Sequence, residues 1–191
     1  MSETRATAVV RPVDIIFVID NSASMESEIR AVQENININF AQRIAESGVD
    51  YRIIMLSAHG IASQWQVCIS QPLSGHSCSP VPERPINTDR FFHYSFDIGS
   101  NYGLYSTLLT YDTADFWQTA PGGWSTWLRE DAYKVFIYFT DDDDTLTTSA
   151  QFDEELLSMS RAHFGTAEER NYVVHSIVGI APRANNGVNH I

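Results

Sequence analysis

The feature that most constrains this chain is the run Val13-Asp14-Ile15-Ile16-Phe17-Val18-Ile19, apolar at every position but one. A strand with apolar side chains on both faces must be covered on both faces, as in parallel sheets flanked by helices. The next residues fit that demand. Asp20-Asn21-Ser22-Ala23-Ser24 supplies helix-capping side chains, and Ile29, Val32, Ile36, Phe40 and Ile44 then recur at steps of three or four. That spacing lines one helical face. Glu26 and Glu28 occupy its first turn, where the helix dipole favours negative charge, and Ser47-Gly48 offers a left-handed C-cap. A second apolar run, Tyr51 to Ser57, comes at once. Strand, helix and strand in this order make a βαβ unit with a right-handed crossover.

The same alternation continues. After a loose, proline-bearing stretch with a possible short strand at Trp65–Ile69, Phe91–Phe96 reads as a strand near a sheet edge. Gly99-Ser100-Asn101 precedes a helix holding Leu104, Leu108 and Leu109. Residues 112–130 form an aromatic, glycine-rich loop, and Val135–Thr140 is the clearest strand, running directly into Asp141. A helix around Ala150–Ala162 and a strand at Tyr172–Ile180 complete the pattern. The expected fold is a three-layer, Rossmann-like α/β domain: a mainly parallel, doubly wound sheet with helices on both faces. Residues 1–11 read as a polar tail and 12–191 as one domain.

Charge narrows the function. The 191 residues carry 24 acidic and 12 basic side chains, a net charge of −12, and Lys134 is the single lysine. With the arginines scattered, nothing resembles a basic patch for nucleic acid. No apolar run is long enough to span a membrane. The acidic excess is a solvated surface unless carboxylates converge on a cation, which directs attention to Asp141-Asp142-Asp143-Asp144. Cys68 and Cys78 flank a turn-rich segment that matches neither a CxxC motif nor a four-ligand zinc pattern, so a local disulfide is expected, with an oxidising compartment. The alternative is two free thiols in a reducing cytosol. Residues Met1 to Arg11 lack the apolar core of a signal peptide, so the protein either stays inside or has lost a leader.

In open α/β sheets the binding crevice lies beyond the carboxyl ends of the strands. Three such ends carry oxygen-bearing side chains here: Asp20, Ser22 and Ser24; Ser100 and Asn101; and Asp141. Oxygen donors suit a hard divalent cation, whereas thiols and imidazoles suit zinc or copper. Asp20-Asn21-Ser22-Ala23-Ser24, preceded by its apolar strand, resembles the D-x-S-x-S start of the von Willebrand factor A domain family, which includes the inserted domain of integrins. The segment Val135 to Asp141 resembles that family's later strand and its aspartate.

The resemblance implies a metal-ion-dependent adhesion site. Its metal ligands would be Asp20, Ser22, Ser24, Ser100 and Asp141, with Asp142 and Asn101 behind them. Mg2+ is the expected ion, with Mn2+ or Ca2+ possible, and a carboxylate from a partner protein would complete its shell. The family's second-loop threonine has no clear counterpart; Ser100 stands there, with Asn101 and Thr107 as rivals. The family's final strand and helix are expected to be missing. Asp143 and Asp144 are expected to face solvent, although the run with Thr145 could instead form a weak calcium loop. The implied function is protein binding at a cell surface, outside the cell or in a periplasm, not catalysis. Two alternatives stand beside it: a cytoplasmic adaptor working with a ring ATPase, and a magnesium-dependent phosphohydrolase, whose second aspartate is replaced here by Ser22. Trp117, Trp124, Trp127 and Tyr133 are expected to pack under the long loop or to rim the site. His59, His93 and His175 are read as core or surface residues.

Overall fold

The computed structural model describes residues 11–178. Five strands, β1 (Val13–Ile19), β2 (Tyr51–Ser57), β3 (Phe91–Ser95), β4 (Tyr133–Thr140) and β5 (Tyr172–Val178), form one all-parallel sheet in the order β3-β2-β1-β4-β5. Helices cover both faces, so the domain is a Rossmann-like α/β fold. Residues 1–10 of the expected tail, and 179–180 of the expected last strand, lie outside the described residues.

β1 sits at the centre, and alternation sends its side chains into two cores. Ile16 and Val18 join Phe136 and Tyr138 of β4 beneath α3 (Gly103–Leu109) and α4 (Ser149–Met159). Ile15, Phe17 and Ile19 pack on the other face against Ile29, Val32 and Ile36 of the helical segment after β1. Fully burying such a side chain is worth about 1.5–3 kcal/mol, so a strand apolar on both faces is stable only in this middle position.

That helical segment is less regular than its spacing suggests. A single 3-10 turn (Ala23–Met25) leads into α1 (Glu26–Asn35), a π segment (Ile36–Ala41) and α2 (Gln42–Glu46). Apolar residues four apart drift off one face of an α-helix with 3.6 residues per turn; the wider π turn absorbs the drift and keeps Phe40 and Ile44 against the sheet. Gly48, with φ of 71°, terminates the segment as expected. Residues 65–69 form no strand; Val67 N–H bonds Ala58 C=O beyond the end of β2 and the stretch continues as buried coil. The helix expected at 150–162 is interrupted at Ser160, where the backbone is extended and the hydroxyl caps α5 (Arg161–Phe164).

Two buried polar groupings brace the sheet. Near the start of β1, Asp14 is fully buried; its carboxylate accepts from Arg129 Nε (2.8 Å) and from the Arg129 backbone N–H (2.7 Å). Arg129 also donates to the Val13 carbonyl and to Asp50. The fully buried Lys134 donates to the carbonyls of Arg129 and Ala132, and burial pushes its ammonium down to about 8. Beside β2 and β3, His59, His76 and His93 form a second grouping, with ring centroids 5.4 Å apart for His59 and His93 and 5.7 Å for His59 and His76. His175 on β5 is exposed. A disulfide joins Cys68 to Cys78. Among the described residues no helix is long and apolar enough to cross a membrane.

Candidate metal centre

From β1 the chain winds through β2 and β3 on one side, then returns to β4 and β5 on the other. The strand order therefore reverses between β1 and β4, and the crevice beyond their carboxyl ends is the position where such folds bind ligands. Ile19 is in register with Phe139, and Asp20 N–H donates to the Phe139 carbonyl at 3.0 Å, so Asp20 and Thr140 leave the sheet side by side. Asp20 is 1% exposed. Its Oδ1 accepts from Ser22 N–H (2.7 Å) and its Oδ2 from the Thr140 hydroxyl (3.2 Å). The hydroxyls of Ser22 and Ser24 lie 3.2 Å apart at the start of the helical segment. Ser100 comes from the loop between β3 and α3; its carbonyl oxygen lies 3.5 Å from Thr140 Oγ1, and it lines one cavity of about 190 Å³ together with Asp20, Thr140 and Asp142.

Asp141 supplies the most telling atom: its Oδ1 is buried with no hydrogen-bond partner. A buried carboxylate oxygen without a donor costs several kcal/mol unless a cation compensates it. Burial also raises the Asp20 carboxyl above its ordinary range; donors from Ser22 and Thr140 pull it back, and the negative charge of Asp141 pushes it up again. Two strand-end carboxylates with hydroxyls around them are a donor set that suits Mg2+ or Mn2+.

The remaining expectations divide. Asp142 is exposed and meets Thr140 through its backbone: its N–H donates to Thr140 Oγ1 (3.3 Å), and its carbonyl is an acceptor for the same hydroxyl (3.2 Å). Asn101 turns toward the β4–α4 loop, with Nδ2 on the Asp143 carbonyl and its own carbonyl accepting from Thr145 N–H (2.8 Å). Thr107 is fully buried inside α3, donating to Gly103 and accepting from Tyr138, which removes it as a rival to Ser100.

Asp143 is exposed as expected, but Asp144 is not free in solvent. Its Oδ2 accepts from the N–H groups of Leu104 and Tyr105, and its Oδ1 from those of Leu146 and Thr147. It caps α3 from across the loop, and with both oxygens committed to amides it has little left for a separate calcium loop. The tryptophans pack rather than rim the site: Trp124 is fully buried, Trp127 lies on Phe92, and the Trp117 ring N–H donates to His59 C=O. The aromatic flanking the crevice is Tyr102, which shares a second cavity with Ser22 and Ser100.

Two residues escaped the sequence reading. Thr140, the last residue of β4, donates to Asp20. Asn21 is 1% exposed and ties the loop cluster together: its Oδ1 accepts from Ala58 and Ile98 N–H (2.8 and 3.3 Å), and its Nδ2 donates to the Trp65 carbonyl (2.9 Å). A polar side chain at the end of a buried strand, or in the turn that follows one, was the only available signal for either. A groove of about 850 Å³ between the π segment and the 71–73 and 88–90 loops lies away from these carboxylates. Comparison with family models, with curated proteins and with solved structures gives no match for this chain.

Proposed function

We propose that this domain is a protein-binding module of the von Willebrand factor A type, in which Mg2+ at the β1–β4 crevice captures an acidic residue of a partner protein. The observation that carries the reading is the buried, partnerless Oδ1 of Asp141 beside the desolvated carboxylate of Asp20, two groups brought from separate strand ends to the point where the strand order reverses. Asp20, Ser22, Ser24, Ser100 and Asp141 would hold the ion, directly or through water. Bound Mg2+ supplies a Lewis-acidic position for a carboxylate.

With only two carboxylates among the five proposed ligands, the ion keeps part of its charge for an incoming anion; hydroxyls instead of further carboxylates preserve that attraction. Asp20 is oriented by Ser22 N–H and Thr140 Oγ1, and Asn21 fixes the loops that carry Ser22 and Ser100. The reading is one of binding: the position two after Asp20 is Ser22, so a phosphohydrolase acid is missing there. The Cys68–Cys78 bond favours an extracellular, cell-surface or periplasmic setting over the cytoplasmic adaptor reading.

Isothermal titration of Mg2+ and Mn2+ into wild type and Asp20→Ala tests the centre. Wild type is expected to bind one ion per chain, and Asp20→Ala to lose at least ten-fold in affinity. Equal heats from the two proteins would overturn the reading.

A further inference from the structure

A second constellation stands apart from the strand-end crevice, at the loop beside β2 and β3. The sulfurs of Cys68 and Cys78 and a ring nitrogen of His76 all lie within 4.8 Å of one another. Cys68 is 7% and His76 9% exposed while Cys78 is half-buried, so most of the group is shielded from water. His76 Nδ1 faces the Ser77 carbonyl at 3.2 Å; a carbonyl only accepts, so the proton of a neutral ring sits on Nδ1 and Nε2 keeps its lone pair. Metal-binding histidines are commonly oriented by a carbonyl that takes the proton of the ring nitrogen not bound to the metal.

The loop does not depend on the S–S bond for its course. Cys68 N–H donates to Gln33 Oε1 (2.7 Å) and Cys78 N–H to Ser70 Oγ (3.1 Å). Gln71 N–H donates to the His76 carbonyl (2.9 Å), and Asn37 of the π segment binds both the Ser70 carbonyl and Leu73 N–H. These contacts keep the three side chains together when the sulfurs part.

We propose that reduction of the Cys68–Cys78 bond converts this corner into a zinc site, with two thiolates and the His76 imidazole as protein ligands and water in the fourth position. A dithiol delivers two electrons and its two thiol protons and leaves as its disulfide, or a phosphine delivers two electrons and leaves as its oxide, with the oxygen and both protons coming from one water molecule; in either case the S–S bond breaks and each sulfur ends as a thiol. Zn2+ then displaces both thiol protons. Tetrahedral zinc with Zn–S near 2.3 Å sets the two sulfurs about 3.8 Å apart, within the reach of side-chain rotation from Cα atoms 5.9 Å apart. Two thiolates neutralise the ion, so the finished centre carries no net charge into its shielded corner. The loop thus has two covalent states, a disulfide under oxidising conditions and a metal clamp under reducing ones, and it is independent of the Asp20 centre.

The test uses the full chain in the Asp20→Ala background, which removes the oxygen-ligand site from the readout. Protein reduced with a phosphine and desalted under nitrogen is titrated with Co2+ as a spectroscopic stand-in for zinc. Expected are a thiolate-to-cobalt charge-transfer band saturating at one ion per chain, its bleaching by one equivalent of Zn2+, and no band in the oxidised protein. His76→Ala is expected to bind at least ten-fold more weakly, with far-UV circular dichroism unchanged from the reduced parent. The same chain in 8 M urea provides the reference for an unfolded dithiol, which the native protein should exceed ten-fold. Absence of the sulfur band, equal affinity in His76→Ala, or affinity no higher than in urea would each overturn the proposal.

Discussion

Replacing Arg129 with alanine is expected to cost about 3–5 kcal/mol of folding stability, a large part of the roughly 5–15 kcal/mol that a domain usually has. Asp14 is the one charge in an otherwise apolar strand; it is fully buried, and two of its contacts come from Arg129. The alanine variant keeps the backbone N–H but leaves a carboxylate in the interior without its guanidinium, and breaking a buried pair from one side is far costlier than never having it. Arg129 also closes the base of the sheet through Val13 C=O and Asp50, so some packing is lost as well. Arg129→Lys should recover little, because an ammonium cannot serve Asp14, Asp50 and Val13 together. Urea unfolding followed by circular dichroism measures this; a loss below about 1 kcal/mol would show that solvent or Lys134 compensates Asp14.

Stability is also expected to fall steeply in mild acid. His93 is 1% exposed, and burial pushes its imidazole down to about 3, with the neighbouring His59 and His76 adding to the effect and the Ser57 carbonyl opposing it. The folded group is therefore neutral where the unfolded one, with an ordinary value near 6.5, takes up a proton. Over that interval the unfolded state binds one more proton, so stability rises with pH and is lost as pH falls from about 6.5 toward 3, at about 1.4 kcal/mol per unit. Burial lowers His76 and His163 as well, in the same sense. Comparing His93→Gln with wild type between pH 6.5 and 4.5 isolates this group from most carboxylates. Wild type should lose roughly 2–3 kcal/mol more than the variant over that range. Parallel pH profiles would mean that His93 is protonated in the folded protein.

The strands were legible because each is a run whose side chains all demand burial, and a parallel sheet between helices is the architecture that satisfies such runs. Asp20 and Asp141 were legible as strand-end carboxylates for the same reason: the apolar run marks where the sheet stops. Thr140, Asn21 and Asp144 were not. Their roles depend on which strands become neighbours and on loop amides 37 to 77 positions away, information that no local pattern holds. The π turn was present in the spacing only as a drift from three to four. His76 drew no notice because a histidine between two cysteines acquires meaning only once the loop closes on itself.

The side chain of Asn21 has a consequence for time scales. Ala58 and Ile98 lie just past the ends of β2 and β3, where amide protons usually exchange with water quickly. Both donate to one buried oxygen, Asn21 Oδ1. Neither proton can reach solvent unless that amide group swings out, which would also release the Trp65 carbonyl from Nδ2. In native-state hydrogen exchange these two amides should persist as long as those at the centre of β1, and Asn21→Ala should collapse that protection. With Asn21 in place the crevice opens only when the whole sheet does, so its loops are set before anything enters it.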